Sequence, residues 1–465
     1  MAQRHLSSRG AIVAWALCGA AAGAAEPANV TRIADEVSEN SLRSIVEHLV
    51  SFGTRHTLSS QTDPKRGIGA ALKWTEAQFR SYSEACGGCL RVEMPSEVMT
   101  GPRVPNPTRV VDVLAIQTGT VDPQRVVIIA GHIDSRVTDV MDAISDAPGA
   151  NDDGSGTAAV IEAARVLSKH EFPATIVYAA LSGEEQGLLG GKILADFARA
   201  RGWEVVAMFN NDIVGNSCGS DGQCDDRHVR VFSEGVRADA TPDLLREQRS
   251  RGGENDSPSR NLSRFVDSLA DRSGIGLDVR QIWRTDRFGR GGDHRMLLDA
   301  GFPAVRFTVA VENYDQQHQD LRVEKGIRYG DTIDAMDFRY LARVTKLNVA
   351  ALAALARAPR PPVATVRGEV SPDTEVAWAP VPMADRYRIS WRPTDASQWT
   401  NNMIVPSTQT RQVLKRIRVD DWVFGVSALS ADGHESPVAS ATPGGAFGPL
   451  AGSRESGTNP PARRP

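Results

Sequence analysis

Residues 125–135 read Arg125-Val-Val-Ile-Ile-Ala-Gly-His-Ile-Asp-Ser: an unbroken apolar, β-branched run, a glycine, then an imidazole and a carboxylate two positions apart. A strand with water on one face alternates apolar with polar residues. This one does not, so it requires cover on both faces, the condition of a parallel sheet. Residues 108–117 read as a neighbouring strand, and further short runs follow at 174–181, 204–210 and 303–308. Between them lie stretches with helical spacing at 155–169, 187–201 and 293–299, after helical patterns around Ser41 and Ala70. Strands alternating with helices predict an α/β fold, a mostly parallel mixed sheet flanked by helices. The polar stretch 241–259 reads as an exposed loop, and an Ala/Leu-rich helix is expected over 337–358.

The chain has 465 residues, 41% of them apolar, too many for one ordinary core, so more than one domain is expected. A net charge of -4 with interspersed signs leaves no basic stripe for nucleic acid. Arg4 and Arg9 precede a short apolar run ending in small residues, which reads as a signal peptide over 1–25 cleaved near Ala24 or Ala25 and predicts a secreted protein. No later stretch is long and apolar enough for a membrane span. Cys18 falls within the leader and leaves Cys86, Cys89, Cys218 and Cys224. In an oxidising compartment these predict two short-loop disulfides, Cys86 with Cys89 and Cys218 with Cys224. The alternative, one structural zinc held by all four, is disfavoured by the wider spacing of the second pair.

The Pro-rich residues 359–362 read as a stiff linker. Beyond them, 363–443 carry short alternating segments around Trp378, Tyr387, Trp391 and Trp422, the texture of a small all-β sandwich that resembles a fibronectin type III domain. Nothing in its sequence names what it contacts. Residues 444–465, rich in Gly, Pro and Arg, read as a disordered tail.

Four clusters place possible metal ligands at predicted strand ends, where open α/β sheets bind ligands. His132 is followed by Asp134, which is placed to hold the imidazole's second nitrogen. The loop Gly149-Ala-Asn-Asp-Asp-Gly-Ser-Gly supplies Asp152; an N-cap turn or a calcium loop would use the same residues. Leu181-Ser-Gly-Glu-Glu offers Glu184 and Glu185, adjacent and therefore on different sides of the chain, so that one can bind metal while its neighbour reaches water. An acidic first turn of a helix is the plainer reading of that pair. Asp212 and His318 complete two imidazoles and three carboxylates, a set that suits two zinc ions sharing one carboxylate.

In this order, His-x-Asp, Gly-Ala-Asn-Asp-Asp-Gly-Ser-Gly, Gly-Glu-Glu-x-Gly-Leu-x-Gly, Asn-Asp, Gly-Asp-His and His-x-Asp, the motifs resemble the secreted leucyl aminopeptidase family of two-zinc exopeptidases. The resemblance spans roughly residues 40 to 355 and implies a zinc exopeptidase catalytic domain over 26–358. It implies that His132, Asp152 and Asp212 hold one Zn2+, that Asp152, Glu185 and His318 hold the other, and that the Asp152–Asp153 peptide is cis. It also implies that Glu184 takes the proton of a water shared by the two ions as that water attacks the N-terminal peptide bond of a peptide substrate. Asp134, Asp293 and His294 would support the site. One stretch departs from the family's bacterial pattern: Asp286-Arg-Phe-Gly-Arg-Gly-Gly-Asp-His lacks the expected tyrosine and disulfide. Arg290 stands there instead, either contacting substrate or solvating the loop; an arginine could also grip a C-terminal carboxylate, which keeps carboxypeptidase activity open. A single-zinc glutaminyl cyclase would not need the full ligand set, and a non-catalytic scaffold would be expected to have lost part of it.

Overall fold

The computed structural model describes residues 28–450, so the expected leader at 1–25, with Cys18, lies outside the described residues. Three helices come first, α1 (Ala28–Ala34), α2 (Glu39–Ser51) and α3 (Ile68–Ala85). In α2, Leu42, Ile45, Val46 and Leu49 form one buried face, and the Ser38 side chain caps the start by accepting from the Ser41 N–H. β1 (Arg91–Glu93), β2 (Ser96–Gly101), β3 (Val104–Val111) and β4 (Val113–Gln117) follow. The single strand expected over 108–117 is thus two. β3 pairs with β2 in a separate hairpin, while β4 enters the main sheet. The break falls at Asp112, whose buried carboxylate accepts the Ser182 N–H at 3.0 Å and fixes the change of direction.

Next come β5 (Asp122–His132), α4 (Gly154–Leu167), β6 (Ala174–Leu181), α5 (Leu189–Ala200), β7 (Glu204–Asn211), β8 (His228–Phe232), α6 (Pro242–Arg251) and α7 (Pro258–Ser273). β9 (Asp278–Ile282), α8 (His294–Asp299), β10 (Ala304–Val309), β11 (Arg322–Glu324), β12 (Ile327–Tyr329) and α9 (Phe338–Arg357) complete this part. The main sheet runs β1-β4-β6-β5-β7-β10-β8-β9, with the central block β6-β5-β7-β10 parallel and antiparallel pairings on both sides of it. Alternate residues of β5 feed two cores: Val127 and Ile129 pack with α2, α4 and α9, while Val126, Ile128 and Ala130 pack with α5 and α8. That double cover is the physical reason its sequence is continuously apolar.

The polar stretch 241–259, expected as loop, instead forms α6 and the start of α7. Thr241 caps α6 with Pro242 at its first position, and Gly252, at φ 78°, ends it. With Gln248 its one buried residue, α6 has no apolar stripe for periodicity to reveal.

The C-terminal region forms β13 (Ala364–Arg367), β14 (Thr374–Trp378), β15 (Arg386–Pro393), β16 (Asn401–Pro406), β17 (Arg411–Leu414), β18 (Trp422–Leu429) and β19 (Ala439–Ser440). The sheets β13-β14-β17 and β16-β15-β18-β19 enclose Val376, Trp378, Tyr387, Ile389, Phe424 and Val426. This body is docked rather than tethered. Arg264 of α7 and Arg392 of β15 converge on Asp256, Arg264 donates to Ser397 O, and Asn261 donates to Ser440. Arg360 in the Pro-rich connector pairs with Asp122 and Glu204 of the larger domain.

Residues 444–450 also depart from the expected disorder. The buried Arg237 donates to Ala446 O (2.8 Å) and Gly448 O (2.7 Å), and the Leu450 N–H donates to Asp239 (3.0 Å), so free backbone carbonyls of a Gly-rich segment serve as partners for a buried guanidinium. Among the described residues, no helix is long and apolar enough to cross a membrane.

Candidate metal centre

β5 delivers His132 at its C-terminal end. The ring's Nδ1 lies 3.1 Å from the Asp134 carbonyl and 3.5 Å from its carboxylate, so Asp134 does orient the imidazole. Asp134 also accepts from Glu184 N (3.2 Å), Glu185 N (3.1 Å) and the Thr57 hydroxyl (3.0 Å), tying the ends of β5 and β6 together. On the other side of the ring, Nε2 stands 3.2 Å from Asp152 Oδ1 and 4.0 Å from Asp212 Oδ1.

Asp152 faces both ways. Its second oxygen is 2.9 Å from His318 Nε2, and that nitrogen is also 2.9 Å from Glu185 Oε1. The peptide joining Asp152 to Asp153 is cis. The Asp153 carboxylate turns away to accept the backbone N–H groups of His132 (2.9 Å), Gly156 (2.9 Å) and Ile213 (3.3 Å). It thereby joins the start of α4 to the ends of β5 and β7. Gly156 makes this approach possible, because a Cβ there would lie 2.1 Å from Asn211 O. The N–H of Asp152 is held at 2.7 Å by Asp331.

The candidate ligands thus fall into two groups, His132, Asp152 and Asp212, and Asp152, Glu185 and His318, each with its donor atoms within 4.8 Å of one another. These donors fit zinc. Two imidazoles and three carboxylates converge at ligand spacing, and the buried Glu185 Oε1 receives no hydrogen bond although His318 is beside it. The cluster draws positive charge. Against burial, Glu185 and Asp152 lift His318 to about 10, and against burial His318 draws Glu185 down to about 2. Three arginines pair with the cluster's carboxylates: Arg136 bonds Glu185 at 2.9 Å, Arg306 pairs with Asp212 at 2.7 Å, and Arg287 stands 3.9 Å from Asp212.

Glu184 lines the same cleft of about 620 Å³, together with Arg103, Arg136, Arg287, Arg290 and Arg295. Burial pushes its carboxyl well above the usual carboxylate range, and the neighbouring Glu185 adds to the shift. Arg290 reaches the cleft and bonds Glu312 (2.8 Å) and Gln317 (3.3 Å). Asp293 lies behind the wall, accepting Gly191 N at 3.0 Å. His294 does not line the cleft; it is buried with Nε2 2.9 Å from Thr285 O and 3.6 Å from Asp286, and so holds the 284–291 loop. Both disulfides, Cys86–Cys89 and Cys218–Cys224, are formed.

Sequence reasoning missed Arg136, Arg306, Gln317 and Asp331, and named Asp153 only for its cis peptide, not for the backbone groups it holds. Arg306 alone left a signal, a charge inside the otherwise apolar strand Ala304–Val309. Gln317 donates to Asp152 at 3.2 Å from the residue before His318, where nothing in the local sequence marks it.

The fold has known counterparts. LapB of Legionella pneumophila superposes with a TM-score of 0.53 at 20% identity, covering 71% of this chain and 75% of that one. The L. pneumophila LapA aminopeptidase gives 0.51 at 20% identity, covering 70% and 72%. In sequence, a probable zinc metalloprotease of Leptosphaeria maculans is 42% identical over 420 residues, 89% of this chain and 97% of that protein. One of Pyrenophora tritici-repentis is 43% identical over 422 residues, 88% and 86%. The sequence profile of peptidase family M28 matches residues 112–345, the segment that contains Glu184 and every candidate ligand from His132 to His318. With that match, and with relatives this similar over nearly their whole length, the chain belongs to peptidase family M28.

Proposed function

We propose that this chain is a zinc-dependent aminopeptidase exported from the cell, holding two metal ions and removing N-terminal residues from peptides. The observation that carries the reading is Asp152, one carboxylate turned toward His132 and Asp212 on one side and toward Glu185 and His318 on the other, with Glu184 in the same cleft. The names of its sequence relatives, zinc metalloproteases, support the metal. LapA, named an aminopeptidase, shares the fold. The leader pattern over 1–25 and the two disulfides support export.

His132, Asp152 and Asp212 would hold one ion, and Asp152, Glu185 and His318 the other. When bound, the metal supplies Lewis acidity, activating water and polarising the scissile carbonyl. The protein's own groups do the rest. Asp134 fixes the His132 ring, and Arg136 holds Glu185 by its second oxygen. Glu184 takes the proton from the attacking water and returns it to the leaving amine, at the carboxyl adjoining the ligand Glu185 in the chain.

The test compares release of free amino acid from an unblocked peptide and its N-acetylated twin, with and without zinc, alongside Glu184→Ala. Zinc-dependent cleavage of the free-amine peptide alone, lost in the variant, is expected. C-terminal release from both peptides would replace the aminopeptidase with a carboxypeptidase.

A further inference from the structure

The metal centre is acidic, yet the rest of the cleft that contains it is rich in guanidinium groups. Of the five arginines lining it, Arg136 is committed to Glu185. Arg287 and Arg290 share a single carboxylate, Glu312, at 3.6 and 2.8 Å, and Arg230 reaches the same carboxylate at 2.7 Å. Arg287 also pairs with Asp286, at 3.2 Å, but Asp286 is itself paired with the buried Arg306. Arg103 bonds only the Glu185 carbonyl, at 2.8 Å, and Arg295 has no carboxylate partner among the described residues. Positive charge on this wall therefore exceeds the carboxylates available to it.

One group points to a ligand directly. The Arg287 side chain is only 8% exposed, and its buried Nη1 makes no hydrogen bond, since the Glu312 carboxylate it faces stands at 3.6 Å, beyond hydrogen-bond distance. A buried charged donor without a hydrogen-bond partner is costly unless a ligand supplies the acceptor. The second terminal nitrogen of Arg287 stands 3.9 Å from Asp212, so an anion bound to this guanidinium sits next to the metal centre. A carboxylate held so close to a candidate metal ligand belongs to a residue flanking the bond to be cut.

We propose that Arg287, Arg290 and Arg295 form a carboxylate-binding subsite, and that the substrates are short peptides presenting a carboxylate on a residue adjoining the scissile bond. The carboxylate is either the α-carboxylate of a dipeptide or an acidic side chain. The proposal rests on the peptidase reading above for the peptide and on the arginines for the anion. Planar guanidinium groups suit carboxylate oxygens, which they can engage through two parallel hydrogen bonds.

The experiment uses the full zinc-loaded protein and four peptides, Ala-Ala, Ala-Ala-amide, Ala-Glu-amide and Glu-Ala-amide. At least one carboxylate-bearing peptide should exceed Ala-Ala-amide in kcat/KM by roughly tenfold or more, the scale of a charge-assisted pair. In Arg290→Gln and in the exposed-site variant Arg295→Gln, that ratio should fall toward one, through KM. Preference for Ala-Ala alone assigns the α-carboxylate; preference for Ala-Glu-amide or Glu-Ala-amide assigns the side chain. A second readout needs no turnover: calorimetric binding of the same four peptides to Glu184→Gln should show the same order. Cleavage and binding without carboxylate preference would overturn the subsite and leave the peptidase standing. Carboxylate-selective binding with no cleavage of any peptide by the unsubstituted protein would uphold the subsite and overturn the peptidase.

Discussion

Asp153 is assigned no metal, yet three backbone N–H groups, those of His132, Gly156 and Ile213, end on its carboxylate. Asp153→Ala would leave three buried donors unpaired at about 1–3 kcal/mol each, so urea denaturation should show a loss of several kcal/mol, together with weakened metal retention. A variant as stable as the parent would show that Asp153 does not organise the loops. Glu184→Gln should behave in the opposite way, keeping its fold and metal while turnover falls by about 10²–10⁴, the range for a lost general acid–base group. Near-parental rates in that variant would remove Glu184 from the chemistry. The candidate ligands and Glu184 were legible in the sequence by two routes: His132, Glu184, Glu185 and Asp212 follow closely on apolar runs, where burial without a partner is costly, whereas Asp152 and His318 lie in polar loops and were read from the order of the motifs. Arg306 and Asp331 were not assigned, because their partners, Asp212 and the Asp152 N–H, lie 94 and 179 positions away and no local pattern encodes such a contact.

Among the elements, α7 carries the contact between the two bodies. Asp256 accepts both Arg264 and Arg392, each almost fully buried, and burial draws Arg264 down to about 9. Asp256→Ala leaves two buried guanidinium groups without their carboxylate, so a loss of roughly 3–5 kcal/mol is expected in thermal or denaturant unfolding. An unchanged transition would mean that water readily replaces the aspartate. In the turn after β18, burial lowers His434 to about 4 from its ordinary 6.5. Its folded pKa lies below its unfolded one, so its contribution is complete above about 6.5 and is lost as pH falls toward about 4. His434→Gln should flatten that part of the stability profile, and an unaltered profile would contradict this origin. Strands such as Ala174–Leu181 and Arg411–Leu414 were readable because their whole length is patterned. The α6 helix was not, since its capping residues Thr241 and Gly252 enclose a segment with no buried face.

At the scale of the whole molecule, composition and the change of texture after Pro362 were enough to separate an α/β body from an all-β one. The docking of the two was illegible, because it depends on which surfaces of each body carry the buried arginines. Truncation at Ala358 would expose Arg264, Asn261 and Gln248, whose partners Ser397, Ser440 and Pro443 lie beyond that point, so the shortened chain is expected to be less soluble and to melt below the full protein. A truncated form that matches the parent would return the sandwich to the role of a spacer. Chelation should also lower the melting temperature, since metal bound only by the folded state adds about 2.7 kcal/mol at a hundredfold excess over Kd. The most direct test of the account is zinc content per chain, by mass spectrometry, in the purified protein and in Asp152→Ala. The parent should hold about two ions and the variant fewer than about one, because Asp152 belongs to both candidate ligand groups. A parent holding one ion or none, or a variant that keeps both, would contradict the two-metal reading.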